Sequence, residues 1–270
     1  KGIKKGDRVA IFMGNRVEYL EAMYGIWFAG ATAVPINAKL HPKEAQWIIE
    51  NADSALVLSD DTLGVKLGAL LQSTGPDVIS FDGPDYAAMR EAEPMDAPIE
   101  LDEQDLAWLF YTSGTTGRPK GVMITCTMLS TMSYTYLLDV DEVNETDAIL
   151  YAAPMSHGAG MYNFMHVMRG ARHVVPESGG FDPDEILNLG KTIGSISMFA
   201  APTMVRRLID SAKARGETGE GLRTITYAGG PMYEADIIEA VEIMGPRFVQ
   251  VYGQGECPMA ITALSRHDVT

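Results

Sequence analysis

Short apolar runs alternate with stretches of helical spacing along most of this chain, and that alternation is its strongest constraint. Residues 8–13, 32–36, 55–58 and 78–81 are aliphatic-rich and too short to be helices. Between the first two, Val17, Leu20, Met23, Tyr24 and Trp27 fall on one broad helical face. Asn15 stands where a cap would, and the pattern stops near Gly30. Pro42 opens a second helix in which Ala45, Ile48, Ile49 and Ala52 recur at helical spacing, and residues 61–71 read as a third. Apolar strands separated by helices imply parallel pairing, with the helices packed on the sheet.

The segment 82–105 is rich in proline and acid and reads as a connector with at most one helical turn. Beyond it come a strand over 106–111, an apolar run at 122–124 and a helix over 128–138. An acidic stretch at 139–147 is the best internal boundary. Strands at 149–152, 173–175, 196–199, 224–227 and 248–252 then alternate with helices at 161–168, 183–191, 202–213 and 234–244. A last strand is expected at 259–264. The expected fold class is α/β, with two successive, predominantly parallel sheets flanked by helices. Residues 1–140 would form a first α/β subdomain and 141–270 a second.

One loop stands out against this pattern. Residues 112–120 carry no large apolar side chain. Gly114 and Gly117 let backbone N–H groups approach an anion, while Thr112, Ser113, Thr115 and Thr116 add hydroxyls and Lys120 adds a charge. Turn chemistry alone does not require five consecutive hydroxyl or glycine positions, and the inventory suits a polyphosphate. A Walker A loop is excluded, because glycine rather than a metal-binding hydroxyl follows Lys120.

Charge and cysteine usage narrow the partners. A net charge of −15, from 21 basic and 36 acidic residues, repels nucleic acid and anionic lipid. The longest apolar run, 22–36, is too short for a membrane span and holds Gly25, Gly30 and Pro35. Cys126 and Cys257 supply no disulfide framework and no signal peptide is visible, so a cytoplasmic setting is expected.

Three further stretches follow strands. His157 lies in Pro-Met-Ser-His-Gly-Ala-Gly (154–160), and taken alone it reads more readily as a hydrogen-bonded structural histidine. Gly229, Gly230 and Pro231 suit a plain turn, or equally a bare backbone against which a flat ring can lie. In Tyr252-Gly253-Gln254-Gly255-Glu256 the tyrosine can stack on a purine, and Glu256 is a hard oxygen ligand suited to magnesium.

The run Tyr-Thr-Ser-Gly-Thr-Thr-Gly-Arg-Pro-Lys-Gly-Val at 111–122 resembles the signature of the adenylate-forming superfamily of acyl-CoA synthetases, luciferases and peptide-synthetase adenylation domains. The other three stretches follow in that family's order. The resemblance implies an AMP-forming acyl-CoA ligase using ATP, Mg2+ and coenzyme A on a small carboxylic acid. It implies phosphate contacts from residues 112–117 and Lys120, and an adenine seat from Gly229, Gly230, Pro231, Tyr252, Gly253, Gln254 and Gly255. His157 would border the acyl pocket and Glu256 would hold the metal, giving Lys120, His157 and Glu256 catalytic roles. The small, neutral residues 158–160 favour a fatty or aromatic acid over an amino acid. Alternatives are an adenylation domain that loads a carrier protein, or a nucleotide-binding module without catalysis. Two departures are Gly255, where the family has a phosphate-contacting threonine, and Cys126, where it usually has histidine. The resemblance covers the middle of a family member, so a fragment lacking the mobile C-terminal domain and its adenylation lysine is expected.

Overall fold

The computed structural model describes residues 1–71, 75–112 and 118–270. They fall into two units, Lys1–Leu129 and Ser130–Thr270. The first contains β1 (Arg8–Met13), α1 (Glu18–Phe28), β2 (Thr32–Asn37), α2 (Pro42–Asn51), β3 (Ser54–Ser59) and α3 (Asp61–Leu71). It continues through β4 (Asp77–Ser80), α4 (Pro84–Arg90), β5 (Leu106–Thr112) and β6 (Lys120–Thr125). The sheet order is β4-β3-β1-β2-β5-β6, parallel except for the β5–β6 pair. The division between units falls within α5 (Cys126–Asp139), ahead of the acidic stretch.

Local chemistry sets these elements. Pro42 occupies the first turn of α2, where its missing N–H costs nothing. His41 Nδ1 accepts from the Lys43 N–H at 3.2 Å, and the Glu44 carboxylate accepts from the His41 N–H at 2.9 Å. That reciprocal cap satisfies two otherwise orphaned donors. Ala45, Ile48 and Ile49 are then buried against Ala10, Phe12, Val34, Ile36 and Val57, each isoleucine contributing about 1.5–3 kcal/mol.

Two expectations fail here. Asn15 does not cap α1; Val17 holds that position without a side-chain bond, and Arg16 instead pairs with Glu18 in the first turn at 2.8 Å. The connector 82–105 carries α4, which is longer than one turn. Pro84 starts it, and Tyr86 anchors it by stacking edge-on to Phe81 and donating to Glu21 at 2.7 Å.

The second unit holds β7 (Ala148–Leu150), α6 (Gly158–Met161), α7 (Asn163–Met168), β8 (Arg172–Val174), α8 (Pro183–Ile193) and β9 (Ile196–Ala200). After these come α9 (Pro202–Arg215), β10 (Leu222–Tyr227), α10 (Glu234–Met244), β11 (Phe248–Gln254), β12 (Cys257–Leu264) and α11 (Arg266–Val269). Its order is β12-β11-β10-β9-β7-β8, with only β12 antiparallel. One face is apolar: Leu150, Met198, Ile225 and Phe248 of the strands share a buried core with Ile186 and Leu187 of α8, Leu208 of α9 and Met244 of α10. The expected helix at 161–168 proves to be two short helices beginning at Gly158. Strand β11 runs on through Gln254, past the expected end at Tyr252.

The amino edge of this sheet is pinned by buried charge. Arg223 reaches Asp147 at 3.1 Å and Asp141 at 3.5 Å, and Arg266 pairs with Asp141. Thr224 donates to Asp141 at 2.6 Å. Removing one member would strand an uncompensated charge, at a cost of about 3–5 kcal/mol. Among the described residues no helix is long and apolar enough to cross a membrane.

Candidate nucleotide site

In the first unit the structure describes the stem of the hydroxyl-rich loop. Thr112 pairs with Lys120 across β5 and β6, so the two ends of the loop are neighbours and Lys120 is exposed beside Thr112. Ser113, Gly114, Thr115, Thr116 and Gly117 lie outside the described residues. One pair below the loop, the Tyr111 ring lies across Gly121, where a Cβ would come within 3.0 Å of it. The Tyr111 hydroxyl donates to Asn51 Oδ1 at 2.7 Å, and its ring meets Trp47 edge-on. The strand that feeds the loop is thus tied to α2. Sequence reasoning passed over Asn51 and Trp47, because their role depends on a strand register no motif encodes.

In the second unit the remaining stretches share one edge of the sheet. Strands β7, β9, β10 and β11 run parallel, so residues 154–160, 228–232 and 252–256 all emerge at their carboxyl ends. Chain order reverses around β7, since β8 adds to one side and β9 to the other. The carboxyl ends flanking such a reversal are where α/β sheets place ligands. His157 follows β7 there, and Pro202 follows β9.

His157 sits at the position before α6, half-buried, with Nδ1 hydrogen-bonded to the Ser156 hydroxyl at 3.0 Å. Burial pushes its pKa below the ordinary histidine value and favours the neutral ring. The turn around it is tight: the His157 N–H donates to the Pro154 carbonyl at 3.1 Å, and the Gly160 N–H to the His157 carbonyl at 2.9 Å. A Cβ at Gly160 would fall 1.9 Å from the Met155 carbonyl oxygen, so only glycine fits. Among the described residues a Cβ at Gly158 would meet nothing within 4 Å.

Gly229, Gly230 and Pro231 form an exposed shelf. Gly229 has a φ of +83°, which a larger residue would adopt only with strain. Phe199 and Pro202 lie behind it, 4.0 and 3.8 Å from where the two Cβ atoms would stand. Tyr252 is 52% exposed, and its hydroxyl accepts from Gln254 Nε2 at 2.8 Å. Gly253 has no room for a side chain, since a Cβ would lie 2.5 Å from the Met259 carbonyl oxygen. Met259 itself has a φ of +71°, a strained conformation of the kind that collects at functional sites.

Gln254 pairs with Cys257, leaving Gly255 and Glu256 as a two-residue turn with Glu256 exposed. No group of three or more His, Cys, Asp or Glu that could hold a metal occurs among the described residues. A lone exposed carboxylate fits magnesium, which takes one or two carboxylates and fills its shell with phosphate oxygens and water.

The chain is similar to known proteins along nearly its whole length. The feruloyl-CoA synthase of an Amycolatopsis species is 29% identical over 275 residues, covering 99% of this chain and 53% of that enzyme. A long-chain-fatty-acid–CoA ligase of Thermus thermophilus is 30% identical over 263 residues, covering 94% of this chain and 48% of its own. The chain therefore spans about half the length of these relatives. Among solved structures, the O-succinylbenzoate coenzyme A synthetase of Bacillus subtilis in complex with AMP superposes with a TM-score of 0.83 at 28% identity. That match covers 98% of this chain and 65% of the other. ATP-bound MatB of Rhodopseudomonas palustris gives 0.84 at 27% identity, covering 97% and 52%. The model of the AMP-binding enzyme family matches residues 1–270, and the chain belongs to that family.

Proposed function

We propose that this chain is the nucleotide-binding part of an ATP-dependent acid–thiol ligase. In the reaction a carboxylate oxygen attacks the α-phosphorus of ATP, and the bond to the bridging oxygen breaks to release pyrophosphate. The thiolate of coenzyme A then attacks the acyl carbon and AMP leaves, giving the thioester. Two anions must meet, so positioning and charge neutralisation dominate the barrier. The observation that carries the reading is the convergence of residues 154–160, 228–232 and 252–256 at the carboxyl edge of one parallel sheet.

In this reading Thr112, Lys120 and the loop between them hold the β- and γ-phosphates. The shelf of Gly229, Gly230 and Pro231 and the exposed Tyr252 ring seat adenine. Glu256 would hold magnesium, which when bound neutralises phosphate oxygens as a Lewis acid. A neutral His157 borders the acyl group without forming an ion pair with it. The open space at Gly158 supports a bulky fatty or aromatic acid.

The test is pyrophosphate release by the complete protein against a panel of fatty and aromatic acids, with and without coenzyme A. Acid-dependent pyrophosphate and AMP support the reading. ADP as the product would indicate phosphotransfer, and binding without turnover a nucleotide-binding module. Acyl-adenylate formed but passed only to a carrier protein would assign the alternative acceptor.

A further inference from the structure

A glycine follows Lys120, and the packing around it gives that glycine a reason. Gly121 lies directly across from Tyr111 in the β5–β6 pair, one step from the Thr112–Lys120 pair that closes the loop. A Cβ at Gly121 would come within 3.0 Å of Tyr111 Cζ and 3.2 Å of its hydroxyl oxygen, so the far end of the ring rests on bare backbone. The hydroxyl goes on to donate to Asn51 Oδ1 at 2.7 Å, and the ring meets Trp47 edge-on with centroids 6.3 Å apart. Asn51 ends α2 and Trp47 lies one turn before it, on the same side of the helix. Burial raises the Tyr111 pKa above its ordinary value, which keeps the phenol protonated and donating.

The strand pair is held from one side only. Successive side chains of a strand leave opposite faces. Leu109 and Tyr111 join the core that Ala45, Ile48 and Ile49 of α2 help to form, so Thr112 and Lys120 leave the other face. Lys120 is exposed, and its ammonium is a point charge on a flexible four-carbon stem. Where that charge can reach is set by where its backbone stands. The next residue is glycine, the least restrained residue type, and the Tyr111 ring supplies the restraint that glycine lacks. Its anchor is firm, because α2 is fixed by the reciprocal cap of His41 and Glu44 and by its buried isoleucines.

We infer that Tyr111 is a positioning residue for Lys120: held by Asn51 and Trp47, its ring fixes the β6 backbone at Gly121, so that the ammonium meets a polyphosphate at a set place. The choice of polyphosphate as the ligand of Lys120 rests on the ligase reading. Positioning of this kind is worth rate, since small misplacements of a charge beside reacting groups raise the barrier steeply.

The test is a mutant cycle in the complete protein, read by pyrophosphate release at varied ATP and saturating acid. Tyr111→Phe keeps the ring and removes only the hydroxyl, while Asn51→Ala, at an exposed helix end, removes the acceptor. Each is expected to lower kcat/KM for ATP about three- to tenfold, the worth of one neutral hydrogen bond. The double variant should fall no further than either single one, and KM for the acid should not change. In a Lys120→Ala background Tyr111→Phe should do nothing more. A merely structural hydrogen bond would lower the melting temperature alike in both backgrounds and leave kcat/KM for ATP untouched. An unchanged kcat/KM in folded Tyr111→Phe and Asn51→Ala proteins overturns the inference, and so does an equal further loss in the Lys120→Ala background.

The two readings fail separately. If the unaltered protein releases no acid-dependent pyrophosphate, the ligase reading falls, and the same cycle is read from ATP affinity by titration calorimetry. Losses from Tyr111→Phe and Lys120→Ala that do not add would then uphold the positioning role. An ATP affinity indifferent to either change, or no ATP binding, would remove it. Pyrophosphate release with fully additive losses would refute the positioning role alone.

Discussion

Gln254 donates from Nε2 to the hydroxyl of Tyr252 at 2.8 Å, two residues back along the same strand and on the same face. This amide therefore acts on the exposed aromatic ring, and a direct phosphate contact from Gln254 would require breaking the bond. If Gln254 serves by holding the ring, Gln254→Ala weakens binding of an acyl-adenylate analogue about three- to tenfold, the worth of one neutral hydrogen bond. In a Tyr252→Phe background the same change then does nothing further. Titrations of the two single variants and the double variant decide this; an undiminished Gln254→Ala effect in the Tyr252→Phe protein would sink it.

The turn after Gln254 bears on the residue that departs from the family pattern. Among the described residues of positive φ, Gly229 and Gly245 appear and Gly255 does not. A β-branched side chain at 255 thus meets no left-handed backbone. Gly255→Thr is expected to fold normally and to tighten binding of the acyl-adenylate analogue by about one decade through one charge-assisted hydrogen bond. Unchanged affinity in a normally folded variant would show that 255 does not face phosphate.

Lys120 ends the loop on an exposed strand position and contributes little to the core. In the complete protein, Lys120→Ala should slow pyrophosphate release by roughly 1.5–3 kcal/mol of barrier, a charged hydrogen bond's worth, with thermal stability unchanged. A melting point that falls while specific activity holds would make Lys120 structural.

Much of this was legible in the chain because the strands are short and aliphatic and most helices carry a start signal. Pro42, Pro183 and Pro202 each mark a helix opening within the first turn. Asn15 misled because capping needs the backbone to turn at that residue, and Arg16 with Glu18 organises the helix start instead. The split of α6 from α7 leaves no mark in the apolar periodicity. Tyr111, Asn51 and Gly121 meet only through strand register. The edge-on approach of His166 and His173 depends on how α7 packs beside β8, which nothing in the sequence shows.

Gly160 separates tight packing from open space within a single motif. Gly160→Ala places a methyl against a carbonyl oxygen of the same turn, a backbone atom that cannot swing aside. Overpacking of this kind costs about 1–3 kcal/mol. Gly158→Ala, two residues away, meets no atom of the described residues within 4 Å and should cost well under that. Denaturant midpoints of the two variants give the comparison; equal midpoints would mean that the 154–160 turn adapts freely.

The buried histidines also set a pH dependence whose sign is fixed. Burial lowers the pKa of His173 from 6.5 to about 4 and lowers that of His166 as well. Both are neutral in the folded chain and bind protons more readily once unfolded, so acidification favours unfolding. Their full contribution is present above pH 6.5, is lost progressively as pH falls, and for His173 stops changing below about pH 4. For His173 alone the loss amounts to at most about 2 kcal/mol between pH 7 and pH 5, and solvent screening of its partly exposed ring makes it smaller. Carboxylates titrate lower in this range and blur the total, so the informative quantity is the difference between the unaltered chain and His173→Phe. Unfolding free energies at pH 7, 6 and 5 should fall more steeply for the unaltered chain, and the gap between the two slopes should close below pH 4. Parallel slopes for the two proteins would mean that His173 is protonated as easily in the folded chain as in the unfolded one, and its ring would then have to be reached by water.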